Sequence, residues 1–245
     1  VNRLLNIESK VKESNKKISI NLLEMKNFDI WNASNHMYHK VQVEKLIKKN
    51  FNTIQISEIT NSTRGDEPGS TNYLFDIERN KDDLTFIRTS DIVNNEVDIY
   101  PDYFLDSEIF SSNASENNIV FSRDGVIGEV AIIPKSDRPF IASGFIIFEL
   151  NAIAREKGIT PEYLFALLKN KYIGLNFAVR RTVIASTIPH IRGNLEDLLI
   201  PIFTKIQIEK ITSQIIEIKK LQLKRRIEIL EIREEFDDFF DNVFN

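Results

Sequence analysis

Residues 119–133 have the sequence IVFSRDGVIGEVAII, in which two β-branched runs flank Arg123-Asp124-Gly125. An Asp-Gly pair between two such runs strongly indicates a β-hairpin, because both residues accept the backbone conformations of a tight turn. We therefore predict strands at Ile119–Ser122 and Val126–Ile133. This hairpin places the middle of the chain in a β-rich domain.

Short extended runs surround this hairpin, and turn residues separate them. Thr60–Asn72 is rich in Asn, Ser, Thr and Gly and predicts a loop. Arg180–His190 predicts a polar loop or strand. The other extended segments that we predict are Lys17–Leu22, Phe51–Ile59, Leu84–Ile87, Leu198–Ile202 and Phe140–Leu150, the last interrupted at Ser143-Gly144.

Two short helices are predicted beside these strands. The first is the amphipathic segment Val41–Asn50. The second begins at Thr160-Pro161-Glu162, because Thr is a favourable N-cap, Pro suits the first helical position and Glu complements the helix dipole. It continues to about Lys171. The sequence therefore predicts a mixed α/β fold, with a β-rich domain followed by one long C-terminal helix.

The last segment of the chain contains no Gly or Pro from about Lys205 to Phe244. Its apolar residues follow a heptad-like spacing that continues after a shift. They are Ile208, Ile211, Ile215 and Ile218, then Leu223, Ile227 and Leu230, and finally Ile229, Ile232, Phe236, Phe239 and Val243. This pattern predicts one helix of about 39 residues and roughly 58 Å. A helix of that length cannot bury its whole apolar stripe on a small domain, so we expect a partner helix.

The charges of this helix indicate how the partner runs. Residues 205–226 carry seven basic and two acidic side chains, whereas residues 227–245 carry one basic and seven acidic. Acidic side chains at a C-terminus oppose the helix dipole, so the dipole does not explain them. Parallel pairing of two such helices would align like charges. We therefore predict antiparallel pairing with a similar helix, either in a second copy of the chain or in a second, similar half of a larger protein.

The length of 245 residues suffices for one globular domain and an extended element. We divide the chain into a linker or lead-in segment over 1–39, a globular domain over 40–204 and the helix over 205–245. Cysteine is absent, and no apolar run approaches the roughly 20 residues that span a bilayer. We therefore expect a cytoplasmic protein without a membrane partner. The chain begins at Val1 and not at Met, as a processed chain or a piece of a longer polypeptide would.

The overall charge argues against a general nucleic-acid coat, because the chain has a net charge of −4. Tyr163–Leu195, however, contains no Asp or Glu. Two interpretations of this acid-free window stay open: a partly buried helix and loop that exclude acids, or a surface that faces DNA phosphates. The basic side chains of the window are Lys169, Lys171, Arg180, Arg181, His190 and Arg192.

The motifs of several catalytic classes are missing from the sequence. The eight glycines contain no G-x-G pair, and no Pro-Pro, phosphate-binding loop or H-E-x-x-H motif occurs. His36 and His39 have a spacing that could bind a metal, but cysteine and a clear acidic third ligand are lacking. We expect no metal site and no catalytic residue in this chain.

Four segments resemble, in the correct order, motifs of the target recognition domains of type I restriction–modification specificity subunits. Residues 119–131 resemble their hairpin motif, and Phe86–Ile92 resembles their "f-i-r-t-x-d-i" segment. Ser186–Ile191, with Leu198–Ile202 after it, resembles their closing motif. The helix that includes Gln207 resembles their spacer helix.

Two positions depart from the family pattern: Ile188 stands where Gln is common, and Phe203-Thr204 replaces a second proline. Asp29–Tyr38 resembles the segment that precedes such domains, both in specificity subunits and in fused methyltransferases. The chain has one recognition domain and one helix. It therefore resembles either a half-subunit that dimerises or the C-terminal recognition region of a fused enzyme.

The resemblance implies an α/β domain that places loops in the DNA major groove, and a helix that separates two recognition domains. It implies a DNA methyltransferase partner that holds S-adenosylmethionine, so that this chain has no cofactor and is not an enzyme by itself. A restriction subunit is a further possible partner. One alternative is the specificity region of a single-chain adenine-N6 methyltransferase or restriction enzyme. Another is a helix-mediated interaction module that does not bind DNA.

Residues on the polar loops are candidates for base contacts, because Arg pairs with guanine and Asn with adenine in the major groove. Arg64, Asn72 and Arg88 are such candidates, and the alternative is that their loops are only connectors. Arg123 stands at the predicted hairpin tip, where it could reach DNA. We expect phosphate contacts from Arg180, Arg181 and Arg192 above all, because the local sequence offers them no carboxylate. The remaining candidates for DNA contact are Lys169, Lys171, Thr187 and His190.

Overall fold

The computed structural model describes residues 38–75, 80–98, 101–184 and 189–244. The helices are α1 (Tyr38–Asn50), α2 (Ile56–Ile59), α3 (Ala152–Glu156), α4 (Pro161–Lys169), α5 (Gly174–Arg181) and α6 (Lys205–Phe244), with 3₁₀ turns at Ser70–Asn72 and Thr89–Asp91. The strands are β1 (Asn52–Gln55), β2 (Thr60–Arg64), β3 (Leu84–Ile87), β4 (Ile92–Val93), β5 (Glu96–Val97), β6 (Phe104–Leu105), β7 (Ile119–Ser122), β8 (Val130–Ile132), β9 (Phe140–Ala142), β10 (Phe145–Leu150), β11 (Thr182–Ile184), β12 (Pro189–Ile191) and β13 (Leu199–Ile202).

An antiparallel sheet in the order β2-β10-β7-β8 lies at the centre of the domain. Successive side chains of a strand point to opposite faces, and both faces of this sheet are buried. Phe121 and Phe148 face a core formed with α1, α4, α5 and the start of α6. Val120 and Ile147 face a second core, which Ile87 of β3 and two residues of β9 also line. The domain is thus layered as helices, sheet and sheet, and the predicted mixed α/β class is confirmed.

The predicted hairpin is confirmed in its pairing but not in its length. β7 and β8 pair antiparallel, with Ile119 opposite Ile132. The second strand begins at Val130 and not at Val126. Gly125 and Gly128 both have positive φ, and the hydroxyl of Ser122 accepts a hydrogen bond of 2.7 Å from the Glu129 N–H. The connection is therefore a wide loop closed by Ser122 and not a two-residue turn.

The predicted interruption of Phe140–Leu150 separates two strands that belong to different sheets. β9 pairs parallel with β3, and β10 lies in the central sheet. Gly144 has a φ of 78° between them, a conformation that glycine adopts without a steric penalty. The chain bends there from one layer of the domain to the next.

Three local predictions are correct only in part. Thr60–Asn72 is not a loop throughout: β2 pairs with β10, and its polar side chains suit an edge strand with one exposed face. Phe51–Ile59 contains β1, but Ile56–Ile59 is a helical turn with both isoleucines buried. Arg180–His190 contains β11 and the start of β12, as predicted, but Arg180 and Arg181 end helix α5. The predicted strand at Lys17–Leu22 falls outside the described residues.

The two helices predicted from capping and spacing are confirmed. α4 begins at Thr160, whose hydroxyl accepts a 3.1 Å hydrogen bond from the Tyr163 N–H. α6 begins after Thr204, whose N–H donates to Oε1 of Gln207 at 3.1 Å. Its 40 residues make a helix of about 60 Å. In the described part of the chain, no helix combines the length and hydropathy that a membrane span needs.

Candidate nucleic-acid interface

Four segments meet at the end of the central sheet where β2 finishes, and we call residues 64–65, 123–125, 143–144 and 189–194 the loop edge. Backbone hydrogen bonds join them: Arg123 N–H to the Gly144 carbonyl at 2.8 Å, and Ile191 N–H to the Arg123 carbonyl at 2.9 Å. The Gly65 N–H donates to the carbonyl of Phe145 at 2.9 Å. The loop edge contains three arginines, one aspartate and His190, a formal charge of +2 with the histidine neutral. The carboxylate of Glu196, just outside the loop edge, accepts a hydrogen bond of 3.1 Å from the Asn194 N–H, so the positive charge belongs to these segments and not to their surroundings.

Arg64 ends β2 on this loop edge, and its side chain is held by an amide. Its Nε donates to Oδ1 of Asn194 at 2.8 Å, a contact between residues 130 positions apart. Arg64 is exposed. The described residues give it no carboxylate partner, so its full charge remains at the surface.

Asn194 is fixed by the conformation of its neighbours. Gly193 has a φ of 75° and Leu195 a φ of 62°. A left-handed conformation is unusual for leucine, and it persists only where the surroundings enforce it. Leu195 is 2% exposed within the core, and its carbonyl accepts a hydrogen bond of 2.9 Å from the Leu198 N–H. The core therefore sets the position of Asn194.

Gly65 fixes the other side of the Arg64–Asn194 contact. A Cβ atom at position 65 would lie 2.3 Å from the carbonyl oxygen of Ala142, which no side chain tolerates. The close approach of these two backbones requires glycine. It holds the end of β2 against the junction of β9 and β10.

Arg88 adjoins the loop edge, but its guanidinium is committed to a carboxylate. Its Nε and Nη2 donate to Asp91 at 3.0 and 2.9 Å, and the group stacks 4.4 Å from the ring centre of Tyr103. The hydrogen bond with Asp91 raises the pKa of Arg88 above its ordinary value, against the opposing effect of burial. Thr89 lies beside Gly144 of the loop edge: a Cβ added to Gly144 would lie 3.2 Å from the methyl carbon of Thr89.

Arg123 and His190 lie within the loop edge and are partly buried. Nε and Nη2 of Arg123 donate to its neighbour Asp124 at 2.9 and 2.7 Å. His190 lies opposite Val183 in the β11–β12 hairpin, and its backbone forms a bridge with Asp124. Asp124 thus offsets the charge of Arg123 and joins two segments of the loop edge.

The acid-free window is free of acids in sequence but not in space. Arg180 pairs with Glu44 of α1, and Arg181 pairs with Asp197. Lys169 donates to Glu129 at 2.9 Å. The expectation that Arg180 and Arg181 have no carboxylate nearby is wrong, because α1 and the turn after Leu195 supply one to each. Their predicted role at DNA phosphates stays a prediction.

The other predicted DNA contacts fall in several places. The Arg192 N–H donates to the Arg181 carbonyl at 3.0 Å, so these two arginines are neighbours at the loop edge. Nζ of Lys171 lies 4.7 Å from the ring centre of Tyr172. The amide of Asn72 donates to the Pro68 carbonyl within its own loop. Thr187 falls outside the described residues.

The described residues contain no group of three or more His, Asp or Glu side chains that could hold a metal ion. The side chains of His36 and His39 lie outside the described residues. Asn194 is the residue of this surface that sequence reasoning missed. Its signal was the Gly193-Asn194 pair, a turn dipeptide shortly before a strand.

The order of layers and the long terminal helix define a class of fold that solved structures share. The S subunit of the type I restriction–modification system from M. genitalium matches with a TM-score of 0.52 and 16% identity, over 76% of this chain and 44% of that one. A chain from a structure of the assembly and conformational transition of the type I R-M system matches with a TM-score of 0.51 and 13% identity. That match covers 91% of this chain and 52% of the other.

The resemblance to the recognition domains of type I specificity subunits is thereby confirmed at the level of the fold. This chain spans about half the length of the two chains that it matches. No family model matches the sequence. A search of curated proteins finds no significant sequence match either.

Proposed function

We propose that this chain recognises a DNA sequence for a restriction–modification system. The observation that carries the proposal is the loop edge, a patch of positive charge at the end of the central sheet. The fold shared with type I S subunits supports it. Residues 40–204 would form the recognition domain, and residues 205–245 the helix that separates it from a second one.

The loop edge and its flank would have different roles on DNA. Phosphate contacts set the position of a protein on the duplex, and contacts with base edges select the sequence. Arg64 would contact a base, because it is exposed and keeps its charge. Arg181 and Arg192 would contact phosphates, since Arg192 belongs to the loop edge and its N–H donates to the carbonyl of Arg181. The ion pair between Arg181 and Asp197 would have to break before Arg181 could contact a phosphate.

The chain would act without catalytic residues of its own. A DNA methyltransferase, as a separate subunit or as a domain upstream of this region, would hold S-adenosylmethionine and transfer the methyl group. The chain would then be the specificity component of that enzyme. A single-chain adenine-N6 methyltransferase with this region at its C-terminus is the alternative arrangement.

The distal half of α6 would pair antiparallel with an equivalent helix. Its apolar side chains are exposed, among them Ile227, Ile229, Ile232 and Phe236. Antiparallel pairing would place the acidic residues 227–245 of one helix beside the basic residues 205–226 of the other. A cysteine introduced at Ser213 should then crosslink to one introduced at Ile232 in another copy. Efficient crosslinking of Ile232→Cys to itself would indicate a parallel pair instead.

The test of DNA recognition is selection from random duplex DNA, followed by binding titrations over a range of salt. We expect a defined motif and a binding constant that falls steeply with salt. Arg192→Ala should weaken binding to all duplexes and lower the salt slope by about one. Arg155→Ala is the matched control, because Arg155 lies on α3, beyond the opposite end of β10 from the loop edge.

An interaction module without DNA binding is the second candidate function. The exposed apolar residues of distal α6 favour it, because they provide a protein-binding surface whether or not the domain binds DNA. The same selection decides between the two candidates. A chain that self-associates through α6 but enriches no motif, at any salt concentration, would favour the interaction module and exclude sequence recognition.

A further inference from the structure

We propose that Asn194 is a positioning residue that presents Arg64 to a guanine in the recognised sequence. The inference rests on the proposed function and names one base contact within it. It starts from the 2.8 Å hydrogen bond from Nε of Arg64 to Oδ1 of Asn194. That bond connects the end of β2 to the turn before β13.

The chemistry of this contact differs from that of the other arginines. Arg88 and Arg123 each bind a carboxylate through Nε and Nη2, which satisfies one edge of the guanidinium and offsets its charge. Arg64 binds a neutral amide oxygen through Nε alone. The amide orients the guanidinium without neutralising it. Among the described residues, the hydrogen bond to Asn194 is the one polar contact found for the Arg64 side chain, and it involves neither terminal nitrogen.

Those terminal nitrogens match the acceptors of guanine. Guanine presents O6 and N7 side by side in the major groove, and an arginine fork donates to both. With Nε committed to Asn194, Nη1 and Nη2 of this exposed side chain remain available for such a pair of acceptors. Guanine is the base that offers two acceptors on this edge, whereas adenine offers one acceptor and one donor.

The backbone on both sides of the contact is rigid, as a specificity contact requires. Gly65 is packed so closely on Ala142 that a Cβ would lie 2.3 Å from its carbonyl oxygen. Leu195 is buried in a left-handed conformation and fixes the other partner. An arginine that is already oriented loses less side-chain entropy on binding than a mobile one.

The experiment compares the DNA preferences of four variants with those of the unaltered chain, by selection from random duplexes and titration of single-base variants. Arg64→Ala should reduce the preference for guanine at one position roughly tenfold to a hundredfold. Asn194→Ala should reduce it several-fold at that same position. Asn194→Asp places a carboxylate beside Arg64, as at Arg88 and Arg123, so it should weaken all binding and also reduce the preference for guanine at that same position. Arg155→Ala should change no position.

The outcomes separate this inference from the proposed function. An unaltered chain that selects no motif contradicts both. A chain that selects a motif, with no position altered in Arg64→Ala or with different positions altered in Arg64→Ala and Asn194→Ala, supports the function and overturns the inference. An Asn194→Asp variant that keeps both its affinity and its preference for guanine would overturn the role assigned to the neutral amide. Thermal unfolding of each variant excludes a folding defect as the cause.

Discussion

The two halves of α6 have similar apolar patterns but opposite surroundings. In the proximal half, Ile208 is 3% exposed in the main core, and Thr212 shares a 2.8 Å hydrogen bond with Thr160 of α4. In the distal half, Ile232 is 64% exposed and Phe236 is 60% exposed. In the proximal half, the domain covers Ile208 and part of Ile211, whereas Ile218 and Leu223 are 50% and 57% exposed. The proposed antiparallel partner would cover the exposed apolar residues of the distal half.

The boundary between the two halves is a polar contact with the β4–β5 hairpin. Nε2 of Gln222 donates to the Asn94 carbonyl at 2.8 Å, and Nη2 of Arg226 lies 2.6 Å from Oδ1 of Asp98. At 1.5 Å per residue, Gln222 and Arg226 lie about 15 and about 21 Å along the helix from Thr212. The domain thus holds α6 at two points and sets the direction in which the distal half projects.

The largest difference between the halves should appear on truncation of one isoleucine in each. Ile208→Ala should lower the free energy of unfolding by about 2–5 kcal/mol, because it leaves a cavity in the main core. Ile232→Ala, the matched control, should change it by less than about 0.5 kcal/mol. Urea titration followed by circular dichroism measures both. Equal losses in dilute samples would mean that the distal half also packs within its own chain.

A smaller loss is expected at the start of the proximal half, where Tyr163 holds the chain between β13 and α6. Its buried hydroxyl donates to the Pro201 carbonyl at 2.6 Å and accepts from the Phe203 N–H at 3.4 Å. Burial raises the pKa of Tyr163 well above its ordinary value, so the hydroxyl stays protonated. Tyr163→Phe should cost about 1–3 kcal/mol of unfolding free energy, because two buried backbone groups lose their partner.

Tyr73→Phe is the control for Tyr163, since its hydroxyl belongs to a half-buried residue in the smaller core. It should have little effect on the same urea titration. An unchanged stability in Tyr163→Phe would show that water replaces the lost hydroxyl. The hydrogen bonds would then contribute nothing to the junction of β13 and α6.

The contact between Arg226 and the β4–β5 hairpin should contribute little to the free energy of unfolding, but it should restrict the local motion of the helix and the hairpin. Arg226→Ala removes a partly exposed ion pair, which contributes about 0–1 kcal/mol. Hydrogen exchange should nevertheless become faster in α6 near Gln222 and in the β4–β5 hairpin. Lys224→Ala is the control, because its ion pair with Glu228 lies within the helix. Faster exchange in both variants alike would indicate that the helix frays without regard to the hairpin.

The elements that could be predicted from the sequence are those that depend on local pattern. The Asp-Gly pair gave the β7–β8 hairpin, and 40 residues without Gly or Pro gave α6. β2 was missed because an edge strand needs few apolar residues, so its composition resembles that of a loop. α5 was missed because its apolar face is short and follows Gly174.

The candidate site depends on contacts between distant parts of the chain. Arg64 and Asn194 are 130 residues apart, and Arg180 and Glu44 are 136 apart. A window of sequence without acids therefore does not establish a surface without acids. The identity of the cationic side chains was available from the sequence, but which of them keep their charge was not.

The smallest expected effect concerns Glu96 of the β4–β5 hairpin. It tests whether the cost of burying this carboxylate exceeds its attraction to Arg226 and Lys219. Burial raises the pKa of Glu96, and the opposing attraction of Arg226 and Lys219 is weaker. A raised pKa means that the folded chain binds the proton more tightly than the unfolded chain does. This contribution to stability is present below the ordinary glutamate pKa of about 4.3 and is lost as the pH rises through the raised value.

Glu96→Gln removes the charge that is costly to bury. At pH 7 this variant should be more stable than the unaltered chain by less than about 1 kcal/mol, since Glu96 is only partly buried. At pH 4 the two should be equal, because the glutamate is then largely protonated. Urea titrations at the two pH values measure the difference. A variant that is less stable at pH 7 would show that attraction to Lys219 and Arg226 exceeds the cost of burial. Glu96 would then stabilise the packing of α6 on the hairpin through its attraction to Lys219 and Arg226.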